Sequence, residues 1–194
     1  GNRLCRKYGW PTHERQAYRY FVGNGIPKLV ERLAPADQRA PAVLEAALAD
    51  FKRDYGQHLR DTTAPYPGIP EMLAKLKTNG VQLAVFSNKA DALAKEVVKD
   101  YFGTQYFTIV RGQMTGVAPK PAAEGTNALL QALHADPAST LYVGDSNVDV
   151  ETAHNANLPC CGAVWGFRTR EELNAAGAEY LAENSDELYD VIMK

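Results

Sequence analysis

Two aspartates that follow an apolar segment form the most suggestive pair in the sequence. Asp145 comes directly after Leu-Tyr-Val-Gly (141–144), and Asp149 lies four residues further on. If a helix begins near Ser146, both carboxylates can face one crevice, because residues four apart share a helix face. Two carboxylates suit Mg²⁺, which binds one or two of them together with water and substrate phosphate. An aspartate before a helix is also a common N-cap, so the pair by itself leaves both interpretations open.

Three further polar residues could act on phosphate. Ser87 and Asn88 end the apolar segment 81–86, where a hydroxyl, an amide and the N–H groups of a helix N-terminus could bind phosphate. Capping of that helix is the equally acceptable interpretation. Lys120 is a cation in the loop Ala-Pro-Lys-Pro (118–121). A loop lysine is usually solvated, but its two flanking prolines indicate a fixed position.

The elements that must position these residues alternate from residue 65 onward. Apolar segments at 81–86, 106–110, 141–143 and 160–165 are predicted strands, with amphipathic helical segments between them. A capping box at Thr169–Glu172 opens a further helix. Alternating strands and helices predict an α/β fold with a parallel sheet, whose chemistry lies at the carboxyl ends of the strands. All of the polar residues above follow predicted strands.

The sequence before residue 65 predicts helices alone. Apolar residues at helical spacing indicate helices over about 13–22, 26–33 and 39–60, with the loop Gly23-Asn24-Gly25 between the first two. We therefore predict two domains. Residues 1–64 form a helical domain, and residues 65–194 form the α/β core.

Composition excludes several classes of protein. The net charge of −2 over 194 residues gives no basic surface for nucleic acid. No apolar run approaches the roughly 20 residues of a membrane helix. Three cysteines, Cys5, Cys160 and Cys161, argue against a disulfide framework. We expect a cytoplasmic protein with no membrane partner, as a monomer or homodimer.

Taken in order, these motifs resemble those of a known enzyme superfamily. Ser87-Asn88, then Lys120, then Asp145 with Asp149 resemble motifs two, three and four of the haloacid dehalogenase superfamily. The segments 13–25, 142–149 and 165–168 look like those of bacterial phosphoglycolate phosphatases, so the likeness covers nearly the whole chain. It implies a Rossmann-like parallel sheet with an α-helical cap domain.

The resemblance also implies a role for each core residue. In this superfamily an aspartate of the first motif attacks phosphorus and forms a phospho-aspartate, and a second aspartate acts as general acid and base. By position, Ser87 and Asn88 would bind the transferring phosphoryl group, and Lys120 would neutralise its charge. Asp145 would ligate Mg²⁺, and Asp149 would support or share that role.

The helical domain would then be the cap that closes over the site and contacts the organic part of the substrate. Within it, Gly23 and Asn24 belong to the loop expected to face the site and bind substrate. A plain turn between two helices is the alternative for this loop.

The sequence departs from the superfamily pattern in two places. After Lys120 it has Pro-Ala-Ala where Pro-x-Pro is usual. More importantly, residues 1–194 contain no Asp-x-Asp-Gly-Thr segment, so the nucleophile is absent from this sequence. We expect the nucleophile to lie on a strand upstream of residue 1, and a homologue that lacks a nucleophile is the alternative.

These observations leave several functions open. The leading prediction is a Mg²⁺-dependent phosphatase of a small phosphorylated metabolite, with 2-phosphoglycolate as the first substrate to test. A different phosphatase, a pyrophosphatase or a phosphosugar mutase would use the same scaffold. A catalytically silent binding domain is an alternative from another class. A receiver domain fits less well, because of the helical domain and the motif order.

Overall fold

The computed structural model describes residues 1–194, which form two compact units, Gly1–Thr63 and Ala64–Lys194. The first unit is helical, and the second contains every strand. The α/β class with a helical cap, predicted from the sequence, is confirmed by this architecture. No helix combines the length and the apolar character that crossing a membrane would need.

The first unit packs four helices around one core. Its helices are α1 (Asn2–Tyr8), α2 (Tyr18–Phe21), α3 (Gly25–Leu33) and α4 (Pro41–Gln57). Helix α1 ends at Gly9, whose φ of 68° is the left-handed conformation that glycine adopts without strain. Buried side chains from α1, α3 and α4 form the core, among them Leu33 and Phe51.

The predicted helix over 13–22 is wrong in its extent. Only a 3₁₀ turn at Arg15–Ala17 and the single turn of α2 form there. The side-chain amide of Asn2 donates to the carbonyl of His13 at 2.9 Å and accepts from its N–H at 3.0 Å. These bonds to α1 take the place of helical hydrogen bonds, so the chain is held out of helical conformation at this point.

The second unit alternates helices and parallel strands. Its helices are α5 (Ile69–Thr78), α6 (Asp91–Phe102), α7 (Glu124–Leu133), α8 (Asn147–Asn155), α9 (Arg170–Ala175) and α10 (Ser185–Ile192). Its strands are β1 (Ala84–Ala90), β2 (Ile109–Gln113), β3 (Tyr142–Gly144), β4 (Cys160–Ala163) and β5 (Tyr180–Ala182). The capping box at Thr169–Glu172 is present at the start of α9, as predicted.

The strand boundaries differ from the prediction. Strand β1 covers 84–90 instead of 81–86, and β2 covers 109–113 instead of 106–110. Strand β3 lies one residue later than predicted, β4 ends at Ala163 instead of residue 165, and β5 was not predicted. Pairing in β1 and β2 starts with Ala84 opposite Ile109 and shifts register between Phe86 and Ala90. Such a shift is typical of a β-bulge, and the pairing of β1 with β2 continues to Ala90 although the residues there are not apolar.

The strands form two separate parallel sheets. One has the order β1-β2, and the other has the order β3-β4-β5. No hydrogen-bonded ladder joins β1 to β3, so each presents an unpaired strand edge. A groove of about 870 Å³ lies between them, and side chains such as Leu83, Phe86, Leu129, Val143 and Trp165 line it. Val143 is 39% exposed here, which is high for a strand valine.

Candidate active site

A buried ion pair lies at the carboxyl ends of β1 and β3. Lys120 comes from the loop between β2 and α7, and Asp149 from the first turn of α8. The Lys120 Nζ lies 2.6 Å from Asp149 Oδ1, and the two side chains are only 11% and 10% exposed. The fold therefore brings together two of the residues that the sequence singled out, although 29 positions separate them.

Asn88 fixes the backbone of Lys120. Its Nδ2 donates to the Lys120 carbonyl at 3.1 Å, and its Oδ1 accepts from the Lys120 N–H at 2.8 Å. Ser87 lies next to it, and its Oγ accepts from the N–H of Lys89 at 3.1 Å. Both side chains lie at the polar end of β1, and the Asn88 amide is engaged with the lysine loop.

The prediction that Ser87 and Asn88 stand at a helix N-terminus is wrong. Strand β1 continues through both residues, and α6 begins only at Asp91. The N-cap of α6 is Ala90, which makes no side-chain capping bond. Capping is therefore also excluded as the role of Ser87 and Asn88.

Asp149 is held by three donors. Besides Lys120, the hydroxyl of Ser146 donates to Asp149 Oδ2 at 2.6 Å, and the N–H of Asp145 approaches the same oxygen at 3.3 Å. Ser146 is also the N-cap of α8, since its Oγ accepts from the Asp149 N–H. Helix α8 thus begins where the sequence predicted, and Ser146 takes the capping role that Asp145 could have had.

Fewer hydrogen-bond donors balance the negative charge of Asp145 than that of Asp149. Its Oδ2 accepts from the N–H of Phe167 at 3.2 Å. Burial and the neighbouring Asp149 carboxylate raise the pKa of Asp145. A raised carboxyl pKa means that the site disfavours the negative charge, and a cation placed there would remove the penalty.

Two glycines leave the space that the side chains of Asp145 and Asp149 occupy. A Cβ on Gly144 would lie 2.2 Å from the Cβ of Asp149, and a Cβ on Gly166 would lie 2.1 Å from the Cβ of Asp145. Such distances are far below a carbon–carbon contact. Any side chain at either glycine would therefore displace a carboxylate of the site.

The donor set of the site fits Mg²⁺. No group of three or more His, Cys, Asp or Glu residues is placed to hold a metal ion. Mg²⁺ needs only one or two carboxylates, because it keeps water molecules and binds substrate phosphate. Asp145, with its raised pKa, is the carboxylate whose surroundings most favour such an ion.

Lys120 remains charged despite its burial. Burial alone would lower the pKa of its ammonium group, but the Asp149 carboxylate acts in the opposite direction, and the net pKa lies above the usual value. The group is thus a permanent cation in a poorly solvated position. Such a cation can stabilise negative charge on a ligand far more strongly than one in water.

The predicted cap loop is shaped by two glycines and an arginine of the first unit. Gly23 and Gly25 have φ values of 105° and 82°, which side chains rarely adopt. The Arg32 guanidinium on α3 donates to the Phe21 carbonyl at 2.8 Å and to Asn24 Oδ1 at 2.9 Å. The loop is therefore tied to α3, and a role for Gly23 and Asn24 in substrate binding stays a prediction.

Sequence reasoning missed several residues that build this site. Ser146 holds Asp149, the rings of Phe86 and Tyr142 lie over the Lys120 ammonium, and Gly144 and Gly166 make room for the carboxylates. The glycine directly before Asp145 and the serine directly after it were the local signals available. The contacts of Phe86, Tyr142 and Gly166 join distant parts of the chain and leave no trace in residue spacing.

Comparison with known proteins identifies relatives along almost the whole chain. Residues 1–163 match the model of the haloacid dehalogenase-like hydrolase family. A phosphoglycolate phosphatase of Cupriavidus necator is 31% identical over 188 residues, which are 96% of this chain and 81% of that protein. A phosphoglycolate phosphatase of Mesorhizobium japonicum is 30% identical over 159 residues, which are 81% of this chain and 70% of that protein.

A solved structure shares the fold. The crystal structure of a candidate phosphoglycolate phosphatase from Lactobacillus delbrueckii subsp. bulgaricus superposes with a TM-score of 0.92 at 25% identity. The match covers 98% of this chain and 88% of that one. The resemblance drawn from the sequence motifs is confirmed by these matches.

Proposed function

The chain belongs to the haloacid dehalogenase-like hydrolase family, and from that premise we propose a Mg²⁺-dependent phosphatase that acts on a small phosphorylated metabolite. We take 2-phosphoglycolate as the first substrate, because several relatives are phosphoglycolate phosphatases. The observation that carries the proposal is the buried Lys120–Asp149 pair, which Asn88 fixes at the carboxyl ends of the strands.

In this proposal Lys120 faces the phosphoryl group. Its permanent charge stabilises the negative charge that develops as phosphorus is transferred. The Ser87 hydroxyl binds a phosphoryl oxygen, and the buried amide of Asn88 keeps the lysine loop in place. This assignment gives Asn88 a supporting role, since its amide already makes two hydrogen bonds to Lys120.

The metal belongs beside Asp145. Asp145 is the direct ligand, because its burial leaves its charge undercompensated. Asp149 supports the site by holding Lys120 and Ser146, since both of its oxygens already accept hydrogen bonds. When bound, Mg²⁺ would neutralise charge on the phosphate oxygens.

We propose that the nucleophilic aspartate lies on a strand that precedes residue 1. The groove between β1 and β3 supports this, because two unpaired parallel edges flank it and apolar side chains line it. Thr126 Oγ1, which also lines the groove, is buried without a hydrogen-bond partner. A parallel strand added there would pair with both edges, and its carboxyl end would lie near Lys120 and Asp145.

The chemistry then follows two steps. The upstream carboxylate attacks phosphorus, and the leaving alcohol oxygen takes a proton from the second aspartate of the same motif. Water, deprotonated by that second aspartate, then attacks the phosphorus of the phospho-aspartate and releases inorganic phosphate. Gly23 and Asn24 in the first unit would contact the organic part of the substrate in the first step, before the alcohol leaves.

The test is phosphate release by the full natural chain, including any segment before residue 1. Turnover of 2-phosphoglycolate with Mg²⁺, and none with EDTA, is the expected result. The Lys120→Ala variant should lose most of the rate, and a loss below about threefold would remove Lys120 from the mechanism. Preference for pyrophosphate or a sugar phosphate would keep the mechanism and change the substrate.

A catalytically silent binding domain is the second candidate, favoured by the absence of an Asp-x-Asp pair within residues 1–194. It predicts that the full chain binds Mg²⁺ and phosphate by calorimetry but releases no phosphate from any substrate. Turnover by the full chain that is lost in the Lys120→Ala variant would exclude it.

A further inference from the structure

The Lys120 ammonium lies between two aromatic rings. Its Nζ is 5.7 Å from the centre of the Phe86 ring and 5.9 Å from the centre of the Tyr142 ring. One ring comes from β1 and the other from β3, so the cation bridges the unpaired edges of the two sheets. Both distances lie within the range of a cation–π interaction, about 6 Å.

Hydrogen bonds alone do not fully fix the Lys120 ammonium. A lysine has a flexible four-carbon chain and three donors. Its Nζ donates to Asp149 Oδ1 at 2.6 Å and to the Phe86 carbonyl at 3.4 Å, which is a long bond. A second carboxylate would hold the ammonium more firmly but would neutralise its charge. Aromatic faces attract the cation without carrying a net charge, so they restrict its position and leave its charge available to an anionic ligand.

The packing around the rings indicates that their places are fixed. A Cβ on Gly125 in α7 would lie 2.2 Å from Phe86 Cζ, so only glycine lets the ring occupy this position. Burial raises the pKa of Tyr142 to about 12. Tyr142 therefore stays a neutral phenol at ordinary pH and offers the cation a ring face, with no negative charge.

We infer that Phe86 and Tyr142 are positioning residues that hold the Lys120 ammonium against the phosphoryl site. The inference rests on the proposed function, in which Lys120 faces that group. The inference adds two residues to the site, because neither Phe86 nor Tyr142 was among the candidate residues predicted from the sequence motifs.

Kinetics of ring-deletion variants provide the first test. Tyr142→Leu and Phe86→Leu should each lower kcat by about tenfold or more while KM changes little, since a misplaced catalytic group costs rate in the transition state. Tyr142→Phe keeps the ring and should restore most of the rate. In the same unit but outside the site, the Lys75 ammonium lies 5.8 Å from the centre of the Tyr189 ring. Tyr189→Leu is therefore the matched control and should leave kcat unchanged.

Gly125→Ala tests the same idea without deleting a ring. The added methyl group must push Phe86 away from Lys120, and alanine is otherwise the better helix former. A fall in kcat in a well-folded Gly125→Ala protein is the expected result. Full activity in this variant, in Phe86→Leu and in Tyr142→Leu would overturn the inference.

A double-mutant cycle with Lys120→Met separates positioning from general packing. If the rings act through the ammonium, their removal in the Lys120→Met background should not lower the residual rate further. An equal loss in both backgrounds would overturn the inference.

The same cycle on the urea unfolding equilibrium needs no activity. Ring and lysine should be coupled by at least about threefold in the unfolding constant. A protein without phosphatase activity but with this coupling would contradict the proposed function and leave the ring–lysine contact established. Absence of coupling would overturn the contact itself.

Discussion

The side-chain amide of Asn88 makes two reciprocal hydrogen bonds with the backbone of Lys120, 32 residues further along the chain. The amide therefore satisfies both the N–H and the C=O of a residue whose side chain forms a buried ion pair. These two bonds join the polar end of β1 to the backbone of the loop that carries the cation. A longer bond from the Lys120 ammonium to the Phe86 carbonyl, at 3.4 Å, joins the same strand to the lysine side chain.

We predict that Asn88→Ala destabilises the protein by about 2–4 kcal/mol, because it leaves two backbone groups of Lys120 without partners. The rate should fall as well, since the lysine loop loses its anchor. Asn155→Ala is the matched control, because Asn155 donates to the carbonyl of Pro121 in the same loop from an exposed position. The free energies of unfolding of the two variants, measured with urea, should differ by well over about 1 kcal/mol. Equal values would refute the anchoring role of Asn88.

Asp145→Asn should abolish turnover and weaken Mg²⁺ binding while the fold stays intact. Its pKa is raised in the folded state, so its contribution to stability is full below the ordinary aspartate pKa and is lost as pH rises through the raised value. Without metal, the parent protein should therefore lose stability relative to Asp145→Asn as pH rises from about 4 to neutrality. Thermal unfolding in EDTA across this range measures the difference, and parallel curves would contradict the assignment.

Arg32→Ala should raise KM more than it lowers kcat, because Arg32 holds the Phe21 carbonyl and Asn24 and thereby shapes the loop proposed to contact substrate. Arg32→Lys can keep one bond and should recover part of the affinity. Lys28→Ala removes an exposed ion pair with Glu31 on the same helix and should change neither constant. Steady-state kinetics of the three variants test whether this loop contacts substrate. An unchanged KM in Arg32→Ala would indicate that the loop is only a turn between two helices.

The three cysteines should resist thiol reagents while the protein is folded. All are fully buried, and burial raises the pKa of Cys160 to about 12 and that of Cys161 to about 11. The reactive thiolate is thus nearly absent at pH 8. We expect no label on the native chain and three labels per chain in guanidinium. Rapid labelling of any of the three cysteines in native protein would disprove the burial.

The same shifts predict how the protein responds to alkali. A thiol with a raised folded pKa gives its full stabilisation below its unfolded pKa and loses it as pH rises through about 11 to 12. Stability should therefore decline above the ordinary cysteine pKa.

The sequence predicted local features well and distant contacts poorly. The start of α8 at Ser146 and the capping box before α9 depend on residues within one helical turn, so their spacing is readable. The polar end of β1 extends further than predicted, because pairing with β2 decides where the strand ends. The two strands are 25 residues apart in the sequence, with Ala84 opposite Ile109. Tertiary pairing therefore overrides the strand propensity of the individual residues.

The same difference between local features and distant contacts applies to the candidate active site. Lys120, Asp145 and Asp149 were visible as polar residues beside predicted strands, and the fold brings them together. The aromatic pair around Lys120 was not visible, because Phe86 and Tyr142 look like ordinary strand residues in an apolar segment. Contacts that join two strand edges can be found only once the strands have been placed in space.

The contacts of Gly144 and Gly166 with the two aspartates have a consequence for the evolution of this protein. Each glycine faces a carboxyl-bearing side chain so closely that every other amino acid would displace it. Selection on two acidic residues therefore acts on two neutral positions as well, one adjacent to Asp145 and one 21 residues after it. Substitution in this part of the sequence is therefore restricted at four positions, although only two of them carry the carboxylates.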